Sequence, residues 1–433
     1  MTGLYDDVVE RVSTILAEAI REREAEVDVL GVDAGVRRIL RSVGLSTTRQ
    51  LVQGVVAEVV ATARERGFTV NRSAEVTVGC LYGDLTVSSP YMRQGVGNTT
   101  RPVRDLGLTH RSKTPALQRA LTDFGIEDSF GLASSRFEEH YGWEIHRTSL
   151  LRVVHAVADD GLAYVEHRLA EEPEDVEPAA ILLVEMDGCE LRTGTMGSPH
   201  PTERTPVRGL PRRKRPTEWR DVRLAFCRDL HDDTDKTFVG GMSPFAEVVD
   251  QLHAAALHRG LSYRTLVATV LDGGNGLREA IEARFGDCIV VLDRPHVSQH
   301  LHDVAKHMGL ADKERFAWVS RVLGDFYDGR VADVFAELNA YRGPGEPRVQ
   351  RFLKHLWRFQ DAVEYGFAHH FGIPQGSGEI ESAHRYVPQK RMKLAGACWH
   401  PDSMNRMLAL RIIRANGWWG DFWDHRASVQ EAS

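Results

Sequence analysis

The chain has 433 residues, of which 42% are hydrophobic and 27% are charged, a composition typical of a globular protein with roughly two to four folded units. No run approaches the roughly 18 apolar residues that a membrane helix needs. The first residues also lack the basic-then-apolar layout of a secretory signal, so we expect a cytoplasmic protein. The formal net charge of −7 argues at first sight against a nucleic-acid partner.

Two segments of the chain are nevertheless strongly basic. Between residues 203 and 223 there are eight Lys and Arg against three Asp and Glu, a local net charge of +5 (8 − 3). Between residues 385 and 414 there are seven against one, a local net charge of +6 (7 − 1). Because local fields steer a charged ligand, the total charge does not exclude a nucleic-acid partner.

The first part of the chain alternates between helical and extended patterns. Residues 1–68 carry apolar side chains at three- and four-residue spacings, which predicts helices. Residues 69–110 change to a two-residue alternation, which predicts a small β-hairpin element with Tyr82, Gly83 and Asp84 as its turn.

Residues 111–169 predict a helix-turn-helix region. The stretch 134–161 has the pattern of a helix, a short turn and a second helix, and the second helix of such a motif enters the major groove of DNA. Arg147 and Arg152 are then candidate DNA contacts. The alternative is a pair of helices packed in an N-terminal bundle. The acidic, proline-bearing stretch 170–178 predicts a linker.

After the linker, the patterns follow the order strand, strand, strand, helix, strand, helix, strand. The predicted strands are 179–188, 219–229, 236–241, 265–274 and 287–293, and the predicted helices are 243–260 and 275–286. This order indicates an α/β fold with a mixed five-stranded sheet in which the fourth strand lies beside the first. Residues 297–372 predict an all-helical insertion, and 373–433 return to the sheet domain.

Two of the buried strands end in Asp-Gly, at Asp187 and Asp272. Either aspartate alone could simply cap a turn. Neighbouring strands lie about 4.8 Å apart, so together the two carboxylates come close enough to share cations about 3.5–4 Å apart. Oxygen-only ligands suit Mg²⁺ or Mn²⁺. Asp293 competes for the second position, but it should lie roughly 10 Å from Asp187, and Asp272 is preferred.

A third carboxylate is expected from the segment GSGEIESAHR. Glu379 and Glu381 are both candidates, and two residues separated by two on a helix point in different directions. Glu381 is preferred, since Arg385 four residues later could approach a phosphate. Glu379, nearer the start of the helix, has an adequate structural role in favouring the helix dipole.

An ordered set of motifs resembles the ISKra-type family of bacterial insertion-sequence transposases, which are related to Mutator-like DDE transposases. The motifs are MDG at 186–188, LDGGNGL at 271–277, LDRPHVSQHL at 292–301 and GEIES at 378–382. Asp293 and His296 match an Asp/Cys-x-x-His motif of this superfamily, although Pro295 replaces the aromatic residue that often precedes the histidine. The resemblance covers about 180–425.

The resemblance implies an RNase H-like catalytic core formed by 179–296 and 373–433. It implies that Asp187, Asp272 and Glu381 are catalytic acids that bind two Mg²⁺ or Mn²⁺ ions, cleave DNA at the ends of an insertion sequence and join the ends to target DNA. The partners are then double-stranded terminal-repeat and target DNA and, for synapsis, a homodimer or larger assembly. The alternatives are a domesticated DNA-binding regulator that no longer cuts, or an RNase H-like nuclease without strand transfer.

Basic residues near this core are predicted to contact DNA phosphates, although a charge run is commonly just a solvated surface. The run 211–215 is expected in a loop between the first two strands. The candidates are Arg212, Arg213, Lys214, Arg215, Arg385, Lys390, Arg391 and Lys393.

Overall fold

The computed structural model describes residues 6–23, 31–173, 175–195, 199–204, 211–213, 216–274 and 276–432. The chain divides into two compact units, Met1–Phe124 with Gly131–Arg147, and Gly125–Phe130 with Thr148–Ser433. None of the described helices is both long enough and apolar enough to cross a bilayer.

The first part of the chain contains helices and short strands, as the patterns predicted. A β-hairpin and a separate three-stranded sheet of order β1-β4-β5 follow two helices. The elements are α1 (Asp6–Arg23), α2 (Val32–Glu65), β1 (Thr69–Arg72), β2 (Glu75–Cys80), β3 (Gly83–Ser88), β4 (Tyr91–Gln94), β5 (Asn98–Thr100), α3 (Pro102–Asp105), α4 (Pro115–Gly125) and α5 (Phe130–Tyr141).

The β2–β3 hairpin turns one residue earlier than predicted. Cys80 pairs with Gly83, so Leu81 and Tyr82 form the turn, and Asp84 already belongs to β3. Gly83 has φ of +140°, a conformation that a side chain disfavours, which explains why glycine stands where the second strand begins. The prediction placed the glycine in the turn itself because glycine is common there.

The second unit contains the mixed sheet. Its first elements are α6 (Arg147–Ala170), β6 (Ile181–Gly194), β7 (Pro199–Arg204), β8 (Pro211–Arg213), β9 (Thr217–Asp229), β10 (Thr237–Gly241), α7 (Phe245–Leu257), β11 (Leu266–Leu271), α8 (Leu277–Phe285) and β12 (Ile289–Leu292). The five-stranded sheet has the order β10-β9-β6-β11-β12. The predicted α/β class and the position of the fourth core strand beside the first are therefore confirmed.

Strand directions divide this sheet into two halves. β9 is antiparallel to both β6 and β10, whereas β6, β11 and β12 run parallel. The parallel strands are nearly continuous apolar runs because helices cover both faces of such strands. Their side chains form the core of the unit, with Leu182, Val184, Ala268 and Leu292 fully buried.

β6 is longer than the sequence predicted. It continues past Asp187 to Gly194 and pairs with β9 along its length, from Leu182 opposite Asp229 to Gly194 opposite Thr217. Asp187 therefore lies within its strand rather than at its end. The prediction stopped where the continuous apolar run stops, but burial continues in alternation at Cys189, Leu191 and Thr193.

The predicted loop between the first two core strands contains a strand pair. β7 and β8 pair antiparallel there, and Arg212 and Arg213 belong to β8. Lys214 and Arg215 lie outside the described residues.

The predicted insertion is helical, as expected, and the chain then returns to the sheet. The insertion helices are α9 (Arg294–His307), α10 (Asp312–Tyr327), α11 (Val331–Ala340), α12 (Glu346–Trp357) and α13 (Tyr365–His370). The last elements are α14 (Gly378–His384), a π-helical turn (Arg385–Gln389), α15 (Lys390–Met392), a 3₁₀ turn (Pro401–Ser403), α16 (Met404–Ala415) and α17 (Trp419–Ala432).

Candidate functional site

The register of the parallel strands brings two of the predicted acids to the same level. The β6–β11 ladder ends with Val184 opposite Thr269, and each of these residues stands three positions before an aspartate. Continuing the register places Asp187 opposite Asp272 on the same face of the sheet. The two carboxylates also interact, since the charge of Asp272 contributes to raising the pKa of Asp187.

The third aspartate continues the row. β11 and β12 pair Leu271 with Leu292, one residue before Asp272 and Asp293. Asp293 is completely buried, whereas Asp272 is exposed. The carboxylate that follows β11, Asp272, is therefore accessible to solvent, whereas the carboxylate that follows β12, Asp293, is not.

Asp187 has one oxygen engaged and one open. Its Oδ1 accepts the N–H of Gly188 at 2.7 Å, and its Oδ2 lies 3.8 Å from Nε2 of His384. Burial raises the pKa of Asp187. The charge of His384 and the hydrogen bond from the Gly188 N–H lower it, and the charges of Asp272 and Glu381 raise it. The pKa is raised overall. A carboxylate surrounded by other carboxylates is stabilised as an anion by a cation, so the electrostatics favour a cation site here.

Asp272 is held by a tight loop. Its Oδ1 accepts the N–H of Gly274 at 2.8 Å. Gly273 has φ of +85°, and a Cβ there would lie 2.9 Å from side-chain atoms of Leu292 and His355. Only glycine fits this close turn, which explains the Asp-Gly pattern at the end of β11.

Asp293 forms hydrogen bonds both at the start of the helical insertion and at the segment that follows it. Its side chain caps α9 by accepting the N–H of His296 and also contacts Nδ1 of the same histidine. Its Oδ1 accepts the N–H of Ser377 at 3.0 Å, just before α14. Gly376 approaches so closely that a Cβ would lie 3.2 Å from that oxygen. The capping role explains its burial.

His296 is held as part of an Asp–His pair. Burial lowers the pKa of His296. This effect is outweighed by the hydrogen bond and charge of Asp293 and by the charges of Asp272 and Glu381, so the pKa is raised overall. Ligand atoms of Asp293, His296 and Glu381 lie within 4.8 Å of one another. Within the described part of the chain, the predicted triad of Asp187, Asp272 and Glu381 does not form such a group, so its three carboxylates are spread more widely.

The two candidate glutamates have different surroundings. Glu379 forms a bidentate pair with Arg228, at 2.8 and 2.9 Å, and an ion pair with Lys236 at 2.8 Å. Burial raises the pKa of Glu379, but these partners leave it lowered. Glu381 is exposed and is approached by the hydroxyl of Ser377 at 3.4 Å. The environment therefore leaves Glu381 available as a ligand and gives Glu379 a structural role.

Two buried titratable residues beside Asp187 were missed by the sequence reasoning. Glu185 precedes Asp187 by two residues and so shares its face of β6, and His384 follows Glu381 by three residues on α14. A lone glutamate within the apolar run AAILLVEMDG was the available signal for the first. For His384 the signal was its i, i+3 spacing from Glu381.

Glu185 connects the sheet to α14. Its side chain is fully buried, its Oε2 accepts the N–H of Ile380 at 3.2 Å, and its Oε1 has no hydrogen-bond partner among the described residues. Burial, with the charges of Glu379 and Asp293, raises the pKa of Glu185 to about 8. The neutral carboxyl is therefore the form that suits the fold.

We expect the stability of the metal-free protein to fall as pH rises from 4.5 to about 8, because only the folded state keeps the Glu185 proton over this range. This group contributes a slope of up to about 1.4 kcal/mol per pH unit. Glu185→Gln, which stays neutral, should lack this slope. Urea unfolding of both proteins with a chelator across the range measures it, and parallel pH profiles for the two proteins would contradict the assignment.

The predicted DNA contacts differ in their exposure. Arg147 and Arg152 are exposed on the first turns of α6, and Arg385 and Lys393 are exposed after α14. Lys390 pairs with Glu127 at 2.6 Å. The side chains of Arg212 and Arg213 lie outside the described part.

Arg391 differs from the other basic residues of its segment. It is 3% exposed, donates from Nε to the carbonyl of Gly125, and stacks between the rings of Phe130 and Trp399. This position gives it a packing role and does not favour the predicted DNA contact. The sequence could not distinguish it, because partners from three separate segments surround it.

No family model and no curated protein matches the chain, so the family resemblance stays a prediction. Among solved structures, a chain of the Drosophila P element transposase strand transfer complex is similar at 11% sequence identity and a TM-score of 0.26, over 76% of this chain and 84% of that one. A likeness at this TM-score establishes neither fold nor function.

Proposed function

We propose that this protein is a DNA transposase with an RNase H-like catalytic core and a DDE site. The observation that supports the proposal is that Asp187 and Asp272 each follow the last pair of the β6–β11 ladder by three residues, and that the charges of Asp272 and Glu381 both act to raise the pKa of Asp187. The sheet order, with the fourth core strand inserted beside the first, is the order expected for that core.

The residues present fit a pair of divalent cations. Asp187 and Asp272 each have one oxygen engaged by a nearby backbone N–H, which orients the second oxygen for a ligand. A pair of divalent ions in such a site lies about 3.5–4 Å apart. When bound, such ions lower the pKa of water and stabilise charge on phosphodiester oxygens.

The chain's own groups then position the reactants. Asp187, Asp272 and Glu381 are proposed to hold the ions, and Asp293 orients His296 beside Glu381. The raised pKa of His296 favours its protonated form, which can donate a hydrogen bond to a phosphate oxygen. Water attacks the end phosphodiester, and the freed 3′-OH attacks target DNA, so neither step needs a side-chain nucleophile.

DNA outside the site is proposed to follow exposed basic residues. Arg385 and Lys393 lie beyond α14 and are exposed, and we propose that they contact DNA phosphates. Arg147 and Arg152 remain the candidates for sequence recognition, since phosphate contacts alone do not specify sequence. Binding two element ends implies a dimer or larger assembly.

The deciding experiment uses duplex DNA from both flanks of the gene, where an insertion sequence would carry its inverted repeats. Incubation of the protein with this DNA and Mg²⁺ or Mn²⁺ should give nicked ends and products joined to a target plasmid, and chelation should abolish both. Cleavage without joined product would indicate a nuclease. Binding without cleavage in either metal would indicate a regulator and would overturn the proposal.

A further inference from the structure

His384 is a buried imidazole without the partners that a buried imidazole needs. It is 2% exposed, and neither ring nitrogen has a hydrogen-bond partner among the described residues. Leaving a buried polar group unsatisfied is unfavourable for folding. In native proteins such a group commonly binds a water molecule or an ion, or has a catalytic role.

The ring is directed at the open oxygen of Asp187. Nε2 of His384 lies 3.8 Å from Oδ2, the oxygen that does not accept the Gly188 N–H. Two ligands on one divalent ion, each at about 2.0–2.2 Å from it, lie roughly 3–4 Å apart. The separation therefore allows one ion to bind both atoms after a shift of a few tenths of an ångström.

The groups around the ring provide no better partner. The charges of Asp187, Lys393 and Glu381 act on His384, and the backbone of Asp187 is near enough to the ring to act as a weak hydrogen-bond partner. Lys393 is exposed and only donates hydrogen bonds, so it cannot satisfy a protonated ring nitrogen. Glu381 lies three residues earlier on α14, on an adjacent part of the helix surface. Asp187 and His384 can therefore offer an ion one oxygen ligand and one nitrogen ligand.

We propose that His384 supplies a nitrogen ligand to the ion held by Asp187, and that the site consequently prefers Mn²⁺ or another first-row transition ion to Mg²⁺. The reason for the preference is that imidazole is a poorer ligand for Mg²⁺ than for transition ions. This inference rests on the proposed function for the identity of the site, and it adds a fourth residue and a metal preference to it.

The test uses the full-length protein with Mn²⁺ alone and reads the bound ion by pulsed electron paramagnetic resonance. Because His296 is a second imidazole near the acids, the comparison is made between His296→Gln and the double variant His296→Gln/His384→Gln. We expect ¹⁴N coupling from a directly bound imidazole in the first protein and its loss in the second. Absence of coupling in the first, or its persistence in the second, overturns the proposal.

Competition titrations provide the second readout. The ratio of Mn²⁺ to Mg²⁺ affinity should fall about tenfold in His384→Gln, the size of effect seen when a residue that supports a metal site is removed. An unchanged ratio contradicts the inference. His384→Asn replaces His384→Gln if the latter does not fold, and His400→Gln, at an exposed histidine, is the matched control.

Asp187→Ala distinguishes failure of the acid site from failure of the role of His384. If Asp187→Ala binds Mn²⁺ as the wild type does, the proposed acid site itself is wrong. If Asp187→Ala loses Mn²⁺ while His384→Gln keeps both the nitrogen coupling and the metal preference, the acid site stands and the role of His384 fails.

Discussion

Asp187→Ala and Asp272→Ala are each expected to abolish DNA cleavage and strand transfer, a loss of more than about a thousandfold, while binding of end DNA stays close to the wild-type affinity. The reason is that both follow the last pair of the β6–β11 ladder by three residues, and either one alone provides too few ligands to hold the ions. Cleavage rates in Mg²⁺ and gel-shift affinities measure the two effects.

Glu190→Ala is the matched control for Asp187→Ala. Glu190 is an exposed carboxylate three residues further along β6, on the opposite face, and should be dispensable for cleavage. Metal-free Asp187→Asn should unfold at a temperature no lower than the wild type, since the raised pKa of Asp187 shows that its ionised form is unfavourable in the fold. Near wild-type cleavage by either alanine variant would remove that residue from the site.

Glu381→Gln and Glu379→Gln are expected to separate activity from stability. Glu381→Gln should lose cleavage in both Mg²⁺ and Mn²⁺ with an unchanged free energy of unfolding, because Glu381 is exposed and has only the 3.4 Å approach of Ser377. Glu379→Gln should keep most of the cleavage but lose about 1–3 kcal/mol of stability, because the buried Arg228 loses its carboxylate.

Cleavage assays and urea unfolding of the two variants are sufficient to decide this. The substitutions are the same in kind and two residues apart, so each variant is the control for the other. If Glu379→Gln abolished cleavage and Glu381→Gln kept it, the catalytic role would move to Glu379. If both variants kept cleavage, the third acid would have to come from another element.

The sheet was predictable because each of its strands carries its own signal. The apolar runs at β6, β11 and β12 are local properties, and the intervening helix patterns indicate the parallel connections. The extent of β6 was not predictable from the run alone. Its second half is stabilised by pairing with β9, and that pairing is a property of two segments rather than of one.

The candidate aspartates Asp187 and Asp272 were predicted because each ends an apolar run in the sequence, whereas the neighbouring Glu185 and His384 were not predicted. Glu185 and His384 are distinguished only by burial, which depends on how α14 packs on β6. The ion pair between Arg228 and Glu379, 151 residues apart in the chain, likewise has no local signature. Long-range pairs of this kind explain why Glu379 and Glu381 could be separated only weakly from the sequence.

The carboxylate of Asp293 connects the two ends of the helical insertion. It accepts the N–H of His296 at the start of α9 and the N–H of Ser377, which lies 84 residues after Asp293. The entropic cost of closing a loop grows only with the logarithm of its length, about 0.6 kcal/mol for each doubling. Helices such as α10 and α11 could therefore lengthen, shorten or be exchanged over evolution while Glu381 keeps its place. The insertion is thus the part of this protein whose surface can change over evolution with little effect on the position of the candidate acids.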